Sequence, residues 1–272
     1  MSVEDGADVP LRWKETTEVR VLHVEDDAAF ADLVTDFLKR ENDAFDVRTE
    51  TDPAAAVDAL LAGDDEFDCV VCDFDMPEMD GLEVLQRVRS ERPGLPFILF
   101  TGKGSEGIAS EAISRGVTDY LQKGGGTDQY AVLANRIENS IAKFRAEQRA
   151  KRAFGAMETA HDGISILDED GVIRYANSAY ADLLGYDREE LLGSHWERLY
   201  QSEDVDEVYE TLLPAARDGG WSGLTDHRRE DGQTITVEHS LSYTDDETLI
   251  CIISTTDESG ESDRDGGGDG SA

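Results

Sequence analysis

The stretch "FDCVVCDFDMPEMDG", residues 67–81, places five carboxylates in fifteen residues, and one of them, Asp73, closes an apolar run. A short apolar run bounded by turn residues reads as a strand buried on both faces. Such strands belong to parallel sheets covered by helices. The flanking chain keeps that alternation. "VRVLHVEDD" (19–27) is a short apolar strand ending in Glu25, Asp26 and Asp27. "AAFADLVTDFLKREN" (28–42) spaces Phe30, Leu33, Val34, Phe37 and Leu38 along one helical face. "FDVRTE" (45–50) is a second strand, and "DPAAAVDALLAGD" (52–64) has Pro at its start and Gly near its end, as helices prefer. A helix "LEVLQRVRSER", the strand "PFILFTG" (96–102), a helix over 105–115 and the strand "VTDYLQK" (117–123) complete five β–α repeats.

In an open parallel sheet, sites form at the carboxyl ends of the strands. Here those ends carry Glu25-Asp26-Asp27, Asp73, Thr101 and Lys123. Carboxylates gathered at one edge need a counter-charge. Mg²⁺ suits that role, since it takes oxygen ligands and keeps some of its waters.

Composition sets the frame. A chain of 272 residues with 39% hydrophobic residues predicts two domains with cores of their own. Acidic residues number 61 against 25 basic, a formal charge of −36, and only six of the basic residues are Lys. A disordered acidic chain lacks aliphatic residues, and this one does not. The excess therefore predicts a carboxylated surface that needs high salt for screening, as in the cytoplasm of a salt-accumulating halophile. It argues against DNA or an anionic membrane as a direct partner. Cys69 and Cys72 have C-x-x-C spacing but lie inside the apolar run, and Cys251 lies far away, so buried strand thiols are expected rather than a metal or redox site. No segment has the length and apolarity of a membrane span or signal peptide, so a cytoplasmic protein is expected.

"VLHVEDD", "FDCVVCDFDMPEMDG", "ILFTGKG" and "DYLQKG", in order across residues 19–145, together resemble the receiver domain of two-component response regulators. The resemblance implies a flavodoxin-like (βα)5 fold, with a doubly wound parallel sheet, that catalyses its own phosphoryl acceptance and loss. Asp73 resembles the phospho-accepting aspartate. Glu25 and Asp26 resemble the acidic pair that holds Mg²⁺, with Asp73 and the Asp75 carbonyl as further ligands. Lys123 resembles the lysine that pairs with phosphoryl oxygens, Thr101 the switch hydroxyl and Tyr120 the aromatic that moves with it. Gly102 leaves room for the phosphoryl group. Gly124-Gly125-Gly126 follow Lys123 where the wider family often has Pro, which predicts a looser loop. Asp75 and Lys103, two residues beyond Asp73 and Thr101, are expected to gate the site. The resemblance further implies a histidine kinase as phosphoryl donor.

From residue 130 a helical pattern, "YAVLANRIENSIAKFRAEQRAKRAFGAMETA", carries an apolar stripe of Leu133, Ile137, Ile141 and Phe144. Its first part is expected to be the last receiver helix, reaching about 145. The segment 128–151 is expected to be a connector that offers a dimerising rod. Between Arg136 and Arg152 it holds six basic residues and two acids. "DGISILDEDGVIRYANSAYADLLGY", "REELLG" and three strand-like runs after "WSGLTDHRRED" resemble a PAS domain over 152–256, an α+β fold with an antiparallel sheet. Asn177 matches an Asn frequent in that family. A flavin-bonding Cys motif is missing. Of His161, His195, His227 and His239, His195 is the best-placed haem ligand, but no PAS ligand is expected. His161-Asp162 resembles the start of a phospho-accepting His box only superficially, at the PAS entrance. Residues 1–18 are expected to be loose and 257–272 a disordered acidic tail. With no kinase ATP box and no DNA-binding helix pair visible, the output is expected to be contact between the PAS domain and an unknown protein. The rival expectation is a PAS small-ligand sensor with the receiver as docking module.

Overall fold

The computed structural model describes residues 18–62, 67–102 and 106–256. The expectations for residues 1–17, for Lys103 and for the segment 257–272 lie outside them. The chain divides into two compact units, residues 1–149 and 150–272.

In the first unit, five strands alternate with helices: β1 (Val19–Val24), α1 (Ala28–Glu41), β2 (Phe45–Glu50), α2 (Pro53–Ala62), β3 (Cys69–Cys72), α3 (Gly81–Glu91), β4 (Phe97–Thr101), α4 (Glu106–Ser114), β5 (Asp119–Gln122) and α5 (Asp128–Glu158). The sheet is wholly parallel, in the order β2-β1-β3-β4-β5. Side chains alternate between its faces. Leu22, Val24, Val70, Cys72, Phe97 and Leu99 meet α2 and α3 on one side. Val21, Cys69, Val71, Ile98 and Phe100 meet α1 and α5 on the other. Cys69 and Cys72 are three residues apart in one strand and so belong to opposite cores. Burial pushes both thiols up, which keeps them protonated. C-x-x-C spacing within a strand cannot chelate.

The α1 helix buries Ala31, Val34 and Leu38, while Leu33, placed on the apolar face by spacing alone, is 44% exposed. Asp27, the third acid of the β1 tip, caps α1 by accepting from Ala29 N (3.0 Å) and Phe30 N (3.1 Å). In α5, Leu133, Ile137 and Ile141 are buried and Tyr130 stacks on Phe37 at 4.4 Å. Phe144 fits against Gly94, where a Cβ would come within 2.9 Å of its ring, and Arg145 bridges Asp68 at 2.8 Å.

The second unit is an antiparallel sheet in the order β7-β6-β10-β9-β8, from β6 (Gly163–Leu167), β7 (Ile173–Ala176), β8 (Trp221–Arg228), β9 (Thr234–Tyr243) and β10 (Leu249–Thr255). Between β7 and β8 lie α6 (Ser178–Leu184), α7 (Arg188–Leu191), a 3₁₀ turn (Trp196–Leu199), α8 (Val205–Glu207), a π turn (Val208–Leu212) and α9 (Leu213–Arg217). Alternation buries Val237, His239 and Leu241 of β9 and Leu249, Cys251 and Ile253 of β10 in one core. Asn177 ties this unit together. Fully buried, it accepts from Ile164 N (2.8 Å) and Tyr180 N (2.9 Å) and donates to the carbonyls of Met157 and Asp162 (both 2.9 Å).

Replacing Asn177 strands three backbone groups, Ile164 N, Tyr180 N and Asp162 O, and leaves the Met157 carbonyl only its bond from Ala160 N. Asn177→Ala is expected to lower stability by about 3 kcal/mol, since each stranded buried group costs about 1–3 kcal/mol. Urea denaturation followed by the fluorescence of Trp196 and Trp221, both in this core, reads the loss.

Candidate functional site

The ends of β1, β3 and β5 converge on one cation. Lys123 Nζ lies 2.7 Å from Glu25 Oε2 and 3.1 Å from Asp73 Oδ2. The same ammonium sits 4.4 Å from the Phe30 ring centre. Adjacent strand registers put them there, because Asp73 N bonds to Val24 O (2.9 Å) and Lys123 N to Thr101 O (2.8 Å). Ligand oxygens of Glu25, Asp26 and Asp73 all lie within 4.8 Å of one another. Glu25 and Asp73 are buried and Asp26 is exposed. Burial raises the Glu25 carboxyl above its usual range, against the opposing pull of Lys123. His23, on β1, is buried and held down to about 4, first by burial and then by Lys123. Two buried carboxylates share one ammonium with a third, exposed carboxylate beside them, which leaves net negative charge at the strand ends. That donor set fits a small oxygen-seeking divalent cation.

Asp73 is fixed at both oxygens, since Oδ1 accepts from Phe74 N at 2.7 Å and Oδ2 faces Lys123. Thr101 is fully buried at the end of β4. Tyr120 pairs with Leu99 across β4 and β5, and its hydroxyl is buried with no hydrogen-bond partner among the described residues. Desolvation raises its pKa. Among the described residues, the nearest atom a Cβ on Gly102 would meet is Lys123 Cδ at 3.9 Å. Asp75 is exposed. Gly81, which spacing did not single out, is the tightest point. A Cβ there would lie 2.2 Å from the Asp73 carbonyl oxygen and 2.8 Å from Leu99 Cδ2. Beside it, Asp80 caps α3 in a capping box with Glu83. The "DG" at 80–81, an N-cap followed by a residue without a side chain, was the available signal.

The second unit holds a different cluster. His227 and His239 are buried with ring centres 5.1 Å apart. Thr225 Oγ1 lies 3.3 Å from His227 Nδ1 and 3.1 Å from His239 Nδ1, and the Tyr200 hydroxyl is 3.4 Å from His239 Nδ1. His239 Nε2 is buried without a partner among the described residues. The cluster borders a cavity of about 20 Å³, walled also by Tyr180, Leu241 and Cys251, with room for one water-sized molecule. His195, ranked first among the histidines from sequence, instead caps the 3₁₀ turn, accepting from Glu197 N at 3.4 Å. The period-two pattern of "TITVEHSLSY" was the signal that sends His239 inward.

Comparison with known families settles the two halves. The response regulator receiver domain model matches residues 21–135, and the PAS fold model matches residues 152–259. The chain carries a receiver domain followed by a PAS domain. Among curated relatives, the transcriptional regulatory protein FixJ of Bradyrhizobium diazoefficiens is 33% identical over 145 residues, covering 53% of this chain and 66% of its own. The transcriptional regulatory protein ResD of Bacillus subtilis is 28% identical over 197 residues, covering 67% and 80%. A protein-glutamate methylesterase/protein-glutamine glutaminase of Vibrio cholerae is 28% identical over 150 residues, covering 53% of this chain and 41% of its own. The chain thus spans less than two thirds of some of these relatives. Among solved structures, a CheY-like receiver from Methanospirillum hungatei aligns at 23% identity and TM-score 0.43, over 48% of this chain and 98% of its own. The PAS domain of an HTR-like protein from Haloarcula marismortui aligns at 28% identity and TM-score 0.35, over 42% and 96%. The receiver and PAS matches support a role in two-component signalling. No described helix is long and apolar enough to cross a membrane.

This geometry makes two outcomes expected. Gly81→Ala drives a methyl into backbone and should destabilise the receiver by about 3 kcal/mol, the upper part of the overpacking range, read as a lowered urea midpoint. In the PAS core, burial lowers His227 to about 4 and His239 to about 3, the second helped by His227. Unfolded imidazoles titrate near 6.5, so below that the unfolded chain binds more protons than the folded one. Stability is whole above about pH 6.5 and falls as the pH drops toward 4. The urea midpoint of the PAS domain is expected to fall between about pH 7 and pH 5, and His239→Gln to flatten that fall.

Proposed function

We propose that this protein is a phosphorelay response regulator that takes a phosphoryl group from a histidine kinase onto Asp73. The observation that carries this reading is the convergence of Asp73, Glu25 and Lys123 on one buried contact. In the proposed step, Asp73 Oδ2 attacks phosphorus, the phosphorus–imidazole bond breaks, and the donor histidine leaves as imidazole. The Phe74 N–H holds Oδ1, which aims Oδ2 along the line of attack. Lys123 leaves its carboxylate pair for the new phosphoryl oxygens. Glu25, Asp26, Asp73 and the Asp75 carbonyl would hold Mg²⁺, which would neutralise charge on the phosphoryl group. Thr101 donates its hydroxyl to the phosphoryl group, Gly102 leaves space, and Tyr120 repacks with Thr101. Asp75 and Lys103 gate the site, so replacing both with Ala changes phosphoryl lifetime.

The change then travels through the connector helix, which also offers a surface for homodimers, to a PAS domain whose output is contact with another protein. The carboxylated surface suits the cytoplasm of a salt-accumulating cell and leaves DNA and membranes aside as direct partners. A second reading, a PAS small-ligand sensor with the receiver as docking module, is favoured by the unpartnered His239 Nε2 beside its cavity. A small molecule copurifying with the protein and lost in His239→Gln supports it.

The deciding experiment incubates the protein at molar KCl with Mg²⁺ and a small phosphodonor and resolves it on a phosphate-affinity gel. A shifted band that needs Mg²⁺ and disappears in Asp73→Asn is expected. Its absence from natively folded protein moves the weight to the ligand sensor.

A further inference from the structure

A cleft of about 490 Å³ opens in the PAS unit outside the small histidine cavity, a size that suits a small organic ligand. It lies between the β6–β7 turn, the 3₁₀ turn, the π turn, α9 and the facing ends of β9 and β10. Its walls are rich in rings, with His195, Trp196, Tyr209 and Tyr243 all lining it. The ring centres of Trp196 and Tyr209 are 4.9 Å apart and the planes meet at 57°, which makes an angled corner rather than a flat stack. Tyr209 is 46% exposed and reaches the cleft from the π turn. Such turns are rare and recur at functional sites. Two contacts hold the corner in place. Gly171, at φ 76°, packs against it, where a Cβ would lie 2.7 Å from Trp196 Cδ1, and the Tyr209 hydroxyl donates to Glu197 at 2.8 Å.

Charge selects what such a corner takes. The β6–β7 turn brings Asp168, Glu169 and Asp170 to the same cleft. Asp168 is spent on Arg174 and on the N–H groups of Asp170 and Val172. Glu169 and Asp170 are exposed and make no ion pair among the described residues. The one Arg or Lys in the lining, Arg217, lies over the Tyr243 ring at 4.3 Å and pairs with Glu247. The cleft thus already holds one cation of its own on an aromatic face. Among the described residues, no Lys or Arg lies over Trp196 or Tyr209. A bare metal ion fits this place poorly, because among the described residues only Glu25, Asp26 and Asp73 bring three ligand atoms within 4.8 Å of one another.

We propose that this cleft binds a small quaternary ammonium compound, with its methylated head against the Trp196–Tyr209 corner and with Glu169 and Asp170 as counter-charge. A primary ammonium donates three hydrogen bonds and needs acceptors close around it, whereas the corner offers ring surface. A methylated head carries its charge on an apolar shell, so it gains from the rings and from burial together. Salt spares this contact. At molar KCl the carboxylates are screened within about 3 Å, but K⁺ brings no apolar surface to bury, so the corner still prefers the methylated head. Trp196, Leu213 and Leu249 wall both this cleft and the histidine cavity, so a ligand here touches the core around His239. The site requires neither phosphorylation of Asp73 nor a molecule bound at His239.

The test titrates the full chain at molar KCl, by isothermal calorimetry, with choline and separately with neohexanol, its uncharged carbon isostere. Choline is expected to saturate in the millimolar range and to bind about 10-fold more tightly than neohexanol. Tyr209→Leu keeps apolar volume but removes the ring, and is expected to weaken choline about 5-fold, the size of one exposed cation–π contact. Tyr209→Phe keeps the ring and is expected to bind choline within about 2-fold of the unaltered protein, since the hydroxyl takes no part in that contact. Tyr209 is exposed, so both variants keep the urea midpoint of the unaltered protein. Equal affinity for choline and neohexanol, no saturable choline binding by natively folded protein, or undiminished binding in Tyr209→Leu overturns the proposal. Binding of an Arg-rich peptide without binding of choline overturns it as well and makes the cleft a peptide site.

Discussion

One ammonium holds the receiver's working edge together. Glu25 and Asp73 come from different strands, both are buried, and neither tolerates the other's charge without Lys123 between them. Strand registers bring the tips of β1, β3 and β5 together, and one shared charge balance joins them there. Burial works against the Glu25 carboxylate and raises its pKa despite the opposing pull of Lys123. An edge left slightly too negative is one ready for another cation, and one on which moving Lys123 has consequences for every strand it bridges.

Packing underneath makes that edge rigid. The cores on the two faces of the receiver sheet share the same five strands, so a displacement of β3 is felt on both sides. The loop after Asp73 has little room to relax, since Gly81 sits against the Asp73 carbonyl and Met76 and Met79 are buried. Among the described residues, slack lies instead beside Thr101, where a Cβ on Gly102 would meet nothing closer than 3.9 Å and the Tyr120 hydroxyl is buried without a partner. An unsatisfied buried hydroxyl is a stored cost. It makes this side chain the cheapest element of the edge to move.

The receiver's strands and the residues at their tips were legible because apolar runs and acids are written contiguously, as in "FDCVVCD" and "VLHVEDD". The PAS hairpins were legible from turns such as "DEDG". Roles fixed by contacts distant in sequence were not. Asp27 reads as a third acid of the site but spends its carboxylate on the α1 cap. Gly81 is demanded by an oxygen eight residues away, and the "DG" at 80–81 marks the cap without revealing that contact. His195 ranked first among the histidines in the sequence, yet it caps a turn, while His239 is drawn inward by strand alternation and meets Thr225 and Tyr200 only after β8 and the 3₁₀ turn are folded. The π turn at Val208–Leu212 has no sequence mark at all, since it arises from how its neighbours pack.

Asn177 carries a mechanical consequence. One side chain grips the penultimate carbonyl of a 31-residue helix, the entrance of β6 and the first turn of α6. Shifting the helix end by a single residue breaks at least one hydrogen bond of this set, so the end of α5, the β6 entrance and the first turn of α6 share one register. A joint built from apolar contacts alone would fix no such register, because apolar contacts are not directional. The junction is a latch rather than a hinge.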